Sequence, residues 1–242
     1  MAGNSGIGRR ALLRGGFAAT AIGGFAVPGV AAAEQHRARV RQPQVFGTRQ
    51  WRARPPSDPI VVEDHAPVYI VVHHTVKPGN TDDYSLDRAF EISRAMQNFH
   101  MDSRGWIDTG QQFTISRGGW ITEGRHRSWE ILREGRRHVV GANVRDHNRY
   151  VIGIENEGLY TKENMPESQW NSMVDLVSYM AYQYDIHPNL IKGHRDFNST
   201  QCPGDVLYAR LPQLRAEVAA RLGMPLIERV EWPSLLPGDR SR

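Results

Sequence analysis

Val68-Tyr69-Ile70-Val71-Val72-His73 is a continuous apolar, β-branched run of strand length. A strand that is apolar at every position, rather than at alternate ones, is covered on both faces, which puts this run at the centre of a sheet. Downstream, Leu86, Ala89, Ile92, Met96 and Phe99 recur at steps of three and four. That spacing predicts one apolar face of a helix from about Ser85 to Asp102, ended by Gly105. Gln111 to Ser116 and Trp120 to Thr122 flank Gly118-Gly119 and read as a β-hairpin. A basic stretch follows that is expected to be irregular. Tyr150 to Glu157 is another strand, Pro166 opens a helix with Met173, Leu176, Val177, Met180 and Tyr184 on its apolar face, and Leu190 to His194 is a short third core strand. Pro203-Gly204 begins a last helical region that Pro212 breaks in two, the second piece carrying Leu214, Val218 and Leu222. Strands alternating with helices specify an α/β fold, a central mixed β-sheet with helices packed on both faces, in a single domain over residues 67–224 with a C-terminal tail at 225–242.

Upstream of the first strand, residues 34–66 are rich in Arg, Gln and Pro. Pro43, Pro55-Pro56 and Pro59 forbid a long helix, so this is an N-terminal arm, partly extended and lying against the domain. Residues 1–33 differ again. Arg9-Arg10 and Arg14 precede a Gly/Ala-rich apolar run that closes in Ala31-Ala32-Ala33, the layout of an export signal. The paired arginines resemble the twin-arginine export class, with cleavage after Ala33. An uncleaved membrane anchor is the alternative, which Gly richness and Pro28 disfavour as a stable helix.

The 242 residues carry a net charge of +4, but the leader holds three arginines and no acids, so the remainder carries only +1. No basic stripe marks a nucleic-acid interface, and no nucleic-acid partner is expected; Arg125-His126-Arg127 and Arg133 to Arg137 are solvated loops or contacts to an anionic polymer. With 1 cysteine the chain can form no internal disulfide, and Cys202 is buried and inert, paired between chains, or a metal ligand.

His73 stands at the end of the first strand, His194 at the end of the third and Cys202 shortly after it. Neighbouring strand ends bring distant residues together. Two imidazoles and a thiolate suit zinc, which takes nitrogen and sulfur ligands tetrahedrally and in catalytic sites leaves a fourth position for water. Spacing alone is a weak signal here. The chain has 10 histidines, and a surface or core role is the commoner one for any of them.

Val71-Val72-His73-His74-Thr75, Gly105-Trp106-Ile107-Asp108, Ile152-Gly153-Ile154-Glu155 and Gly193-His194-Arg195-Asp196 through Cys202-Pro203-Gly204 stand in this order along the chain. Over roughly Pro67 to Leu222 the chain resembles the type 2 N-acetylmuramoyl-L-alanine amidases and peptidoglycan recognition proteins. The resemblance implies a single catalytic domain in which His73, His194 and Cys202 hold a zinc ion and the amide between N-acetylmuramic acid and L-alanine is hydrolysed. Strand parity agrees with His73 as the ligand, because it shares a face with Val71 and Tyr69 while His74 points to the other side.

The resemblance also assigns roles nearby. Some relatives activate water with a tyrosine at the place of Gln111, whose neutral amide cannot act as a base. The other branch uses a glutamate at the place of Glu155, although Glu157 shares its face by parity. Thr200 matches a position thought to steady the oxyanion, and capping a loop is an equally good reading. His74, Gln111 and Asn143 fall in the substrate groove, Asn143 where relatives often carry histidine, with Trp106 and Trp120 as aromatic walls. The implied partner is bacterial peptidoglycan or muropeptides, met by a secreted, monomeric protein that touches a membrane only transiently during export. A module that binds peptidoglycan without cutting it is the alternative, and such relatives characteristically lack the cysteine.

Overall fold

Every residue of the strand Tyr69–His74 (β3) is buried, and the same holds for Val151–Asn156 (β7). The two pair in parallel over their whole length, His73 opposite Glu155 and Val71 opposite Gly153. In the computed structural model, which describes residues 40–226, they form the middle of a six-stranded sheet. The remaining strands are Val45–Phe46 (β1), Phe113–Ile115 (β4), Ile121–Glu123 (β5) and Ile191–Gly193 (β8), in the order β1-β5-β4-β7-β3-β8. β4 and β5 form the antiparallel hairpin expected around Gly118-Gly119, and the other pairings are parallel. Gly119 sits at φ +84° in the turn, a conformation open to glycine without steric cost.

Ile70, Val72, Phe113, Ile115, Ile152 and Ile154 project to one face and meet the helices Glu167–Tyr184 (α3) and Leu211–Leu222 (α5). Fully burying each such side chain contributes about 1.5–3 kcal/mol. The other face carries the polar His73, Glu155, Thr114 and Thr122. It is covered by helix Leu86–Asn98 (α1), which Ser93 ties to the sheet through its hydroxyl, 2.8 Å from Thr122 Oγ1. Helices on both faces of a mixed sheet are the architecture expected from the chain.

The structure departs from the expected elements at three places. The stretch after the hairpin is not irregular: it holds helix Ser128–Glu134 (α2), ended by Gly135 at φ +66°, and strand His138–Val139 (β6), paired antiparallel with Val62–Glu63 (β2). Phe99, expected on the buried face of α1, is 46% exposed. A π-helical turn at Phe99–Ser103 follows α1. Its wider winding rotates the side chains out of register, so that His100 turns inward in place of Phe99. Third, the final break comes at Arg210 between Asp205–Ala209 (α4) and α5, and Pro212 lies in the first turn of α5, where its missing N–H is harmless.

The described part of the arm lies on the domain. β1 adds an edge strand to the sheet, and Trp51 is fully buried with its indole N–H donating to Glu123 O at 2.8 Å. The export signal at residues 1–33 and the tail beyond residue 226 lie outside the described residues. Among the described residues no helix is long and apolar enough to cross a membrane.

Candidate metal centre and groove

β3 ends at His73 and His74, and its parallel neighbour β8 ends at Gly193, one residue before His194. There the chain turns into a short 3₁₀ helix, His194–Asp196, and Arg195 N donates to Cys202 O at 3.1 Å, closing the loop that returns Cys202 to the strand ends. The side-chain ligand atoms of His73, His194 and Cys202 come within 4.8 Å of one another. The two imidazole rings lie 4.6 Å apart.

The donor set fits zinc. Burial first, then the neighbouring His194 and His74, hold His73 well below the usual histidine range, so it is neutral as a ligand must be. Burial likewise lowers His194, whose Nε2 lies 3.1 Å from Asn198 Oδ1, leaving Nδ1 for a metal. Burial and then the Glu155 carboxylate push the Cys202 thiol up. A divalent cation among these three groups reverses that effect, because a coordinating thiol gives up its proton.

Glu155 faces the same space from β7, 3% exposed, and burial raises its carboxyl to about 8. Glu157 is placed differently. Its carboxylate accepts from Arg88 Nε at 2.8 Å and from Arg117 N at 3.0 Å, a structural ion pair at the strand end. Glu155 makes no ion pair among the described residues, and of the two carboxylates it alone lines the groove.

The groove has a volume of about 610 Å³ and is lined by His73, Glu155, His194 and Cys202 together with His74, Gln111 and Asn143. His74 lies on the opposite strand face, as parity predicts, and accepts from Tyr160 N at 3.3 Å; burial, then Arg195, lowers it to about 4. Gln111 leaves its Oε1 buried without a hydrogen-bond partner. Trp106 forms an aromatic wall, stacked on His100 with centroids 4.7 Å apart. Trp120 does not belong to the groove. Its indole N–H donates to Tyr84 O at 2.9 Å and its ring meets Phe46 edge-on, because the hairpin turn carries it to the β1 side of the sheet. Thr200 also lies outside the groove lining. It is exposed, and its hydroxyl accepts from Cys202 N at 3.2 Å, the loop-capping contact.

Sequence reasoning missed Asn198 and the places of Phe99 and Val76 on the groove lining. Asn198 had no signal apart from standing four residues after His194. Phe99 depends on the π-helical turn. Val76, at φ +62° on the groove rim, is a β-branched residue in a region that such side chains avoid, which no local pattern announces.

Comparison with known proteins identifies relatives of this chain. An N-acetylmuramoyl-L-alanine amidase of Sus scrofa is 34% identical over 146 residues, covering 59% of this chain and 22% of the pig protein, so the chain spans about a fifth of that relative. Peptidoglycan-recognition protein LB of Drosophila melanogaster is 29% identical over 169 residues, 69% of this chain and 67% of that protein. Its wild-type structure matches with a TM-score of 0.61 at 28% identity, covering 69% of this chain and 92% of that one. Peptidoglycan recognition protein-LE in complex with tracheal cytotoxin, a monomeric diaminopimelic acid-type peptidoglycan, matches with a TM-score of 0.60 at 26% identity over 70% of this chain and 92% of that chain. A family model described as N-acetylmuramoyl-L-alanine amidase matches residues 63–205. The chain belongs to the N-acetylmuramoyl-L-alanine amidase family.

Proposed function

We propose that this protein is a zinc-dependent amidase that hydrolyses the bond between the lactyl group of N-acetylmuramic acid and L-alanine in bacterial peptidoglycan. The observation that carries the reading is the convergence of His73, His194 and Cys202 within 4.8 Å on the wall of an open groove that also contains Glu155. His73, His194 and Cys202 hold the ion. When bound, zinc supplies Lewis-acid polarisation of the amide carbonyl and acidifies a water.

The rest belongs to the chain. Glu155 takes a proton from the attacking water and returns it to the departing amine of L-alanine. Its place on the buried groove wall, opposite His73 in the neighbouring strand, suits it to that work. Thr200, outside the groove lining, caps the loop that presents Cys202, its hydroxyl accepting from Cys202 N. His74 and Gln111 meet the polar groups of the glycopeptide, and Trp106 offers a flat face to a sugar ring, while the Asn143 amide is turned into the protein. An export signal before residue 34 would deliver the protein to the wall.

Digestion of purified peptidoglycan with mass spectrometry of the products tests this. Free lactyl carboxylate on muramic acid supports the reading. A new amino terminus within the stem peptide assigns the enzyme another amide.

A further inference from the structure

His73 presents two ring nitrogens, and they face different surroundings. Nδ1 lies 3.6 Å from Cys202 Sγ. Nε2 is buried and makes no hydrogen bond of ordinary geometry. A neutral imidazole that offers one nitrogen to a cation carries its proton on the other, and that N–H needs an acceptor.

Asn143 is placed to be the acceptor. Gly153 and Glu155 share a face of β7, and their partners in β3 are Val71 and His73. Asn143 lies directly over Gly153, where a Cβ would come 2.6 Å from Asn143 Oδ1. Glycine at 153 therefore makes room for this amide beside the His73–Glu155 pair. The orientation of the amide follows from its NH2 group, since Nδ2 donates to Gly110 O at 3.0 Å and to Gln112 Oε1 at 3.3 Å. Gln112 is itself fixed, accepting at Oε1 from Gly153 N at 2.7 Å and donating from Nε2 to Val139 O at 2.7 Å. With Nδ2 committed on that side, Asn143 Oδ1 turns the other way, and it too is buried without a hydrogen-bond partner. The Asn143 side chain also acts on the His73 ring in the direction that favours its proton.

We propose that Asn143 is a positioning residue for His73: its Oδ1 accepts the Nε2 proton, fixes the ring tautomer and leaves Nδ1 free for the metal. The inference rests on the zinc reading of the site. His194 is held the same way, its Nε2 3.1 Å from Asn198 Oδ1, an oxygen that also accepts from Arg145 N at 3.1 Å and so must accept from the ring. Each of the two histidines then has one asparagine carbonyl behind it. The arrangement corresponds to the outer hydrogen bonds that orient metal-bound imidazoles and raise their basicity.

The test compares the full chain with Asn143→Ala and Asn143→Ser. Zinc affinity is read by competition with a chromophoric chelator, and the position of the His73 proton by nitrogen-15 NMR of the zinc-loaded protein. Both variants lose the Nδ2 contacts, but serine keeps a hydroxyl and room for a bridging water that can accept from Nε2. The expected result is a proton on His73 Nε2 in the wild type, a fall in zinc affinity of about 10–100-fold in the alanine variant, and a smaller fall in the serine variant. Should alanine fail to fold, the serine variant and the wild-type proton position still decide. Zinc bound by the alanine variant within twofold of wild type, or a wild-type His73 proton on Nδ1, overturns the inference alone. A wild-type chain that takes up no zinc overturns the metal reading and the inference with it.

Discussion

Cys202 Sγ lies 3.6 Å from His73 Nδ1, although the two residues are 129 positions apart in the chain. Two parallel neighbours of the central strand produce that meeting. β8 delivers His194 beside β3, and the loop to Cys202 folds back over both strand ends, while β7 brings Glu155 opposite His73. The site is thus a property of sheet order. A substitution confined to the site's own groups that leaves this order intact should act on chemistry rather than on folding.

Glu155→Gln is the sharpest such change. The amide fills the same space without an exchangeable proton of useful pKa, so turnover should fall by about 10²–10⁴-fold. Zinc content should stay at the wild-type level. Kinetics on muropeptide alongside metal analysis check this, and near wild-type turnover with zinc bound would remove Glu155 from the mechanism.

Gln111→Ala should separate binding from chemistry. A neutral amide that only contacts substrate contributes about 0.5–1.5 kcal/mol, so KM should rise roughly two- to twelvefold with kcat little changed. A large loss in kcat instead would mean that Gln111 acts on the reacting atoms.

Asp108 ties the Gly105-Trp106-Ile107-Asp108 segment to its surroundings. It is fully buried and accepts from Gln97 Nε2, His126 N and His126 Nδ1, each at 2.8 Å. Burial pushes its carboxyl up, but the His126 and Gln97 hydrogen bonds outweigh burial and hold it below the usual range. A carboxyl lowered by folding stabilises the protein above its unfolded pKa, and that contribution is lost as pH falls through the lowered folded value. Asp108→Asn should cost about 1.5–3 kcal/mol at neutral pH. The gap between wild-type and variant unfolding midpoints should close on acidification; a gap constant from neutral to strongly acid pH would contradict the assignment.

Trp51 tests whether the arm is part of the fold. Its side chain is fully buried beside β5, so Trp51→Ala should destabilise by about 3–5 kcal/mol in urea unfolding. A loss under one kcal/mol would mean that the arm is only draped on the surface.

The central strands were legible because burial on both faces leaves an uninterrupted apolar run, and parity along β3 then separated His73 from His74. β1, β2 and β6 are two residues long. They exist only through their partners, so no local pattern marks them. Phe99 shows a different limit: the heptad-like spacing was correct, but a π-helical turn at the end of α1 changed which residue faces inward. At the site, ligand types could be read from the chain and their supports could not. Asn198 and the orientation of Asn143 are set by hydrogen bonds to residues far away in sequence, such as Arg145 and Gly110. Trp120 was misplaced for a related reason, since an aromatic near a turn can face either side of a hairpin.

Zinc content measured together with cleavage of peptidoglycan, for the wild type and for Cys202→Ser, tests the central claim most directly. The account predicts one zinc per wild-type chain with cleavage at the muramyl amide, and loss of both in the variant. A wild-type protein that binds the wall with no zinc and no cleavage would contradict it and leave a recognition module in place of an enzyme.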